Sequence, residues 1–308
     1  MILEQIGEVK LPAHDKPGGF DHAAVHGPRG RLYVAHTAND ALDVIDCLKN
    51  TYLGAIPRLE GVAGALVSEE HDLVFSSNRA ENTVGIFSPD QEDTLIKVKV
   101  GLRPNGLAYD AGHRLLLAAN VGDPARSGLF SVSLVDVSAR EMIVDVPVPG
   151  RTRWVVFDGE TGWFYVNIAD PPQILVVEAA NPRFVARTFT VPAAGPHGLD
   201  LDGATQRLFC ACDGQTLVVL DSRSGAVRAQ AELAGVPDVI FFNRERQHLY
   251  VAIGEPGLIE VFETDHMRRL ETIRTEAGAH TLGFDPSRNT VYAFLPTTHR
   301  ALIYADRG

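Results

Sequence analysis

One position recurs in each of seven similar segments: His22, Ala63, Asn105, Arg153, His197, Asp238 and His280. Its side chains are the most chemically capable set in the chain. Imidazole titrates near neutrality, so a histidine there can serve as general acid or base. Neutral imidazoles beside a carboxylate also make a ligand set for a divalent metal, with a position left open for water or substrate. The set predicts His22, His197, Asp238 and His280 as a catalytic group. His22, His197 and His280 are the expected ligands of an ion such as Zn, Mn, Fe, Mg or Ca. Such an ion would acidify a bound water or polarise a carbonyl. Arg153 provides a guanidinium fork for a carboxylate or phosphate. Asn105, Trp154 and Asn167 are the remaining substrate-binding candidates.

A second tier follows the next strand of each segment: His36 with Asn39, Asn78 with Arg79, Asn120, Asn167 with Asp170, Asp213, Glu255 and His299. His36 shares a segment with His22 and is the expected extra ligand or base. Asn and Asp at strand ends more often serve turns than chemistry. Trp154 stands where other segments mostly have small residues. It either walls the site or fills a wider gap between segments. The glycine-bounded loop Val121 to Gly128 is a candidate lid or a plain surface insertion.

These residues are held by a repeat. A short apolar strand recurs as RLYVA from Arg31, DLVFS from Asp72, RLLLA from Arg114, GWFYV from Gly162, RLFCA from Arg207, HLYVA from His248 and TVYAF from Thr290. The intervals are 41, 42, 48, 45, 41 and 42 residues. A strand such as NGLAY precedes each copy, and one such as TLVVLD follows. A fourth, more polar strand completes six copies. Four short strands per unit are the mark of a propeller blade. No apolar period of 3.6 residues persists for three turns, so helix is minor. The last unit stops after its third strand, while residues 2–11 read as an orphan fourth strand. The expectation is an all-β, seven-bladed β-propeller over residues 1–308, its ring closed by strand 2–11 joining 280–306.

The pattern Pro-x-Gly-Leu-Ala, Leu-Tyr-Val-Ala, Val-x-Val-Ile-Asp resembles the YVTN-repeat (YncE-like) seven-bladed propellers along essentially the whole chain. The resemblance implies the fold. It leaves the chemistry open, because related propellers include lactonases, lyases and binding modules. Pro-His-Gly is common at this point of such repeats, so it also implies a consensus role for His197.

Composition narrows the classes. The chain has 308 residues, 45% hydrophobic and 22% charged, which is ordinary for a globular protein. Its net charge is −11, and only five of 28 cationic residues are lysines, with no basic run. Nucleic acid is therefore not an expected partner. No apolar stretch reaches 18 residues, so no membrane-spanning helix is expected. Glu4 and Glu8 interrupt any signal peptide, which points to the cytoplasm, or to the periplasm if a leader was removed. The three cysteines, Cys47, Cys210 and Cys212, are too few for a disulfide framework. Cys210 and Cys212 are expected to be buried thiols; the alternative is a redox or metal pair. A nucleophile elbow, phosphate loop, dinucleotide fingerprint and His-Glu-x-x-His are all absent. The favoured reading is a monomeric hydrolase or lyase, lactonase-like, acting on a small polar or anionic ligand at the channel mouth. The alternatives are a non-catalytic module for a protein, peptide or glycan, and a metal-binding protein without turnover.

Overall fold

The computed structural model describes residues 1–89, 91–123, 125 and 128–308, with residues 91–93 described by their backbone alone. Three residues of the candidate lid, Pro124, Arg126 and Ser127, lie outside the described set. The described chain forms 28 strands, β1 to β28, in seven four-stranded antiparallel sheets. This is the expected seven-bladed propeller. Six blades take four consecutive strands, beginning with β2 (Ala23–His26), β6 (Val62–Ser68), β10 (Pro104–Asp110), β14 (Thr152–Asp158), β18 (Pro196–Asp202) and β22 (Pro237–Asn243). The seventh runs β26 (Thr281–Asp285), β27 (Thr290–Leu295) and β28 (Arg300–Asp306), then takes β1 (Leu3–Lys10). The pairing runs from Leu3 opposite Asp306 to Lys10 opposite Arg300, so the two ends of the chain share one sheet.

Burial explains why each strand type looks as it does. The second strands of the blades are buried almost throughout, β11 (Leu115–Asn120) and β23 (His248–Ile253) at every residue. They lie between neighbouring blades and face apolar surface on both sides. The outermost strands, such as β21 (Val227–Glu232), alternate in exposure because one face meets water. The buried side chains fall into seven clusters, each joining two adjacent blades. A blade therefore completes its core only against its neighbours, as in other repeat architectures. The three cysteines are free and buried, with the Cys210 and Cys212 sulfurs 3.8 Å apart.

The innermost strands approach one another closely. A Cβ at Gly106 would lie 2.7 Å from the Arg153 carbonyl, and one at Gly198 would lie 2.3 Å from the Asp238 carbonyl. Only glycine permits that packing without a shift. In blades two to six, the pairing between first and second strands slips at the repeat position carrying the candidate residues. Arg153 and Trp154, for example, fall between the pairs Thr152–Ile168 and Val155–Val166. Such bulges re-aim side chains out of the regular pleat.

Candidate functional site

The candidate position lies at one end of the central channel, here called the mouth. His197 is the most constrained side chain there. Its Nδ1 is 2.7 Å from Asp213 Oδ1, and its Nε2 is 3.2 Å from Asp238 Oδ1. Burial disfavours the charged ring, but Asp238 and then the Asp213 hydrogen bond outweigh it and push the pKa up to about 9. Arg153, whose Nη1 lies 3.0 Å from His197 Nε2, opposes protonation and is also outweighed. His197 is therefore an imidazolium between two carboxylates. Burial alone would raise the Asp238 pKa, but its cationic neighbours, His197 first, hold it well below the usual range. Arg153 Nη2 reaches Asp213 Oδ2 at 3.3 Å and completes a four-residue charge cluster across blades four to six.

His280 differs. Its Nδ1 lies 2.8 Å from the Gly278 carbonyl, which selects the tautomer that donates from Nδ1. Nε2 is left as an acceptor, 4.0 Å from Asp238 Oδ2 and outside hydrogen-bond reach. The side chain is 34% exposed. A ring with one fixed nitrogen and one open nitrogen can take or give a proton.

His22 faces elsewhere. It is buried, its ring centroid is 3.9 Å from that of Trp154, and its Nε2 lies 3.3 Å from Asp21 Oδ1. Burial holds its pKa below the usual histidine value, so the ring is neutral. Asp21 in turn pairs with Arg79 at 3.0 Å, and Arg79 donates to the Asn105 side-chain oxygen. Blades one to three thus have their own polar chain. Trp154 does more than wall the site. It reaches from blade four to His22 of blade one, and its ring centroid lies 6.4 Å from that of Phe241 of blade six. The other blades hold Ala23, Gly64, Gly106, Gly198, Val239 and Thr281 at its level, which leaves the width it needs.

Two expected site residues serve other ends. His36 does not join His22. It is fully buried, with Nδ1 2.7 Å from Asp43 and Nε2 2.8 Å from His14, and it packs on Phe20. As the last residue of β3 (Arg31–His36), it points toward blade seven rather than into the mouth. Asn167 is also fully buried; its amide donates to the His197 and Gly198 carbonyls at 3.0 and 3.2 Å. It supports the β18 bulge and has no free amide hydrogen to offer a ligand.

The expected metal set does not fit this geometry. Both His197 nitrogens face carboxylates, and His22 is stacked on Trp154. Among the described residues, no group of three or more His, Cys, Asp or Glu is arranged to hold a metal ion.

Other contributors were less visible in sequence. Arg79 and Asp213, two of the second-tier residues, belong to the mouth. Asp21, Arg103 and Arg151 were missed. Arg103 and Arg151 each stand two residues before the recurring position, where the other blades have Phe20, Gly61, Gly195, Val236 and Gly278. Aligning that second column is the signal that finds them. Both are exposed. Although Arg151 is exposed along its length, partial loss of hydration first, then the charges of Arg153, Arg79 and Arg103, pull it below its ordinary pKa, so four guanidiniums share one side of the mouth.

No family model and no curated protein matches the chain. Among solved structures, it is similar to a chain of the crystal structure of a mitotic checkpoint complex. That match has a TM-score of 0.81 at 10% identity and covers 98% of this chain and 91% of the other. It is also similar to Kuenenia stuttgartiensis hydrazine synthase, with a TM-score of 0.81 at 11% identity, covering 95% and 96%. At these identities the likeness shows the fold alone, a seven-bladed β-propeller of the kind found both in a checkpoint assembly and in an enzyme.

Proposed function

We propose that the chain is a YVTN-type propeller enzyme that moves a proton on a small anionic substrate held at the mouth, in a hydrolysis or an elimination. The observation that carries this reading is the division of the mouth. Arg79, Arg103, Arg151 and Arg153 gather on blades two to four, while His280 on blade seven keeps Nε2 open beside Asp238. The guanidiniums would bind carboxylate or phosphate oxygens, Arg103 and Arg151 most directly because their side chains make no ion pair among the described residues. His280 would act as general base or acid on the substrate atom facing it. The Asp213–His197–Asp238 cluster would hold the Asp238 carboxylate in place, 4.0 Å from His280 Nε2. No step needs a resident metal.

The test is a panel of small di- and tricarboxylates, phosphate esters and carboxylated lactones, assayed for binding by thermal shift and for turnover. The reading predicts that Arg151→Ala weakens binding, and that His280→Ala retains binding and loses turnover. Binding without turnover of any member, unaffected by His280→Ala, would instead favour a non-catalytic binding module.

A further inference from the structure

Beneath the mouth lies a second space with different chemistry. A cavity of about 710 Å³ occupies the rest of the channel, within the range of small-molecule pockets. Its lining starts at His22 and Trp154 and runs down the innermost strands to Asp158, Glu160, Gly203 and Arg244 at the opposite end. Between these limits most of the lining side chains are aliphatic or aromatic. Trp154, Phe241 and Phe284 form a continuous aromatic side, with successive ring centroids 6.4 and 6.2 Å apart. Tyr109 and Phe157 contribute from blades three and four. The polar and charged mouth residues Asn105, Arg153, His197, Asp238 and His280 take no part in this lining.

Asp200 is the exception in that wall. Its Oδ1 accepts the Leu201 N–H and its Oδ2 the Phe242 N–H, both at 2.7 Å, so the carboxylate is held in one orientation. Among the described residues it has no cationic partner. The other charges are at the rim. The Asp158 carboxylate is taken by its own turn, accepting from the Glu160 N–H and the Thr161 hydroxyl. Glu160 pairs with Arg223 at 3.5 Å, and Arg244 is exposed. A carboxylate set in an apolar wall is costly to leave without a counter-charge. Burial, with a smaller push from the like charge of Asp202, brings Asp200 up to about 6, and the two backbone hydrogen bonds only partly offset it.

We propose that the lower channel is a binding site for an organic ammonium: a primary or secondary amine on an apolar or aromatic body, its nitrogen at Asp200 and its body against the Trp154, Phe241 and Phe284 rings. The carboxylate supplies the counter-charge. The aromatic faces favour a cation, and the hydrocarbon wall favours the body. The site is independent of the mouth reading, because the Trp154–His22 stack separates them and no residue of the anion side lines it.

The chain has two tryptophans, Trp154 and Trp163. A Trp163→Phe background leaves Trp154, which lines the cavity, as the sole tryptophan, whose emission is excited selectively over that of the seven tyrosines. Phenethylamine is titrated into this protein at neutral pH beside the uncharged phenethyl alcohol. The amine is expected to bind about tenfold more tightly or better, because only it gains the ion pair. Its affinity should fall as pH drops through about 6, where Asp200 is protonated, while the affinity of the alcohol should not. Asp200→Asn should make the two ligands equal. Equal affinities in the Asp200 protein, or no Trp154 response to millimolar amine, would overturn the proposal. That comparison needs no Asp200 variant, so a folding defect in Asp200→Asn leaves the proposal open to refutation.

Discussion

Above the Trp154–His22 stack, the channel is a mesh of guanidiniums, imidazoles and carboxylates contributed by every blade except blade two's innermost strand, where Ala63 stands. Below it, the same strands present mainly Ala, Val, Leu and aromatic side chains around Asp200, with Asp158, Glu160 and Arg244 at the far rim. The upper residues of blades two to six sit in bulges, where pairing is broken and side chains are re-aimed. The lower residues lie where pairing is regular. One repeat thus builds two environments, a rim whose charged side chains pair with one another and a lower wall whose Asp200 carboxylate is held by backbone N–H groups alone.

The largest test of that contrast is His280→Ala. Turnover of a mouth substrate should fall by roughly 10²- to 10⁴-fold. Stability should hardly change, because the ring is part-exposed and its single hydrogen bond is to the Gly278 carbonyl. An equal loss from a lower-channel substitution such as Phe284→Leu would erase the distinction between the two regions.

Next is the pH dependence of stability. The folded His197 value of about 9 lies above its ordinary 6.5. Its stabilisation is therefore complete below about 6.5 and is lost as pH rises through 9, amounting to about 3 kcal/mol at most. Asp238, with its value depressed, acts in the opposite direction: its stabilisation is present above 3.8 and is lost as pH falls. Thermal melts from pH 4 to 10 should show an alkaline decline that His197→Gln removes. A decline of the same size in that variant would assign it to other groups.

Trp154→Ala should cost about 2 kcal/mol, less than a fully buried tryptophan, and join the two spaces. A phenethylamine response that survives unchanged by calorimetry would show that the stack does not bound the lower cavity. The smallest stability effect belongs to Arg151→Ala. A shift within about 0.5 kcal/mol is expected, with roughly tenfold weaker anion binding. Loss of anion binding without loss of stability would separate recognition from architecture at the mouth.

Much of this was legible before the structure. The 41- to 48-residue intervals and the orphan strand at residues 2–11 predict seven blades and the β1–β28 closure, because the strand pattern depends on local alternation. The structure brings Arg153, His197, Asp238 and His280 of the recurring position into one neighbourhood. The direction of each side chain was not legible. His22 and His280 stand at the same repeat position, yet one stacks inward on Trp154 and the other keeps an open nitrogen. His36 turns toward Phe20 and His14 through packing between blades one and seven, which no single repeat encodes. Trp154 reaches across the ring only because six other blades keep small or β-branched residues at its level.

The central claim is that the mouth works through a charged His197 fixed between carboxylates, with His280 beside it in a single tautomer. Ring-nitrogen NMR of ¹⁵N-histidine-labelled protein, followed through pH, reads this directly. His197 should remain an imidazolium until about pH 9, while His22 should be neutral at pH 7 and the neutral form of His280 should carry its proton on Nδ1. A His197 that loses its proton at or below its ordinary 6.5 would contradict the account.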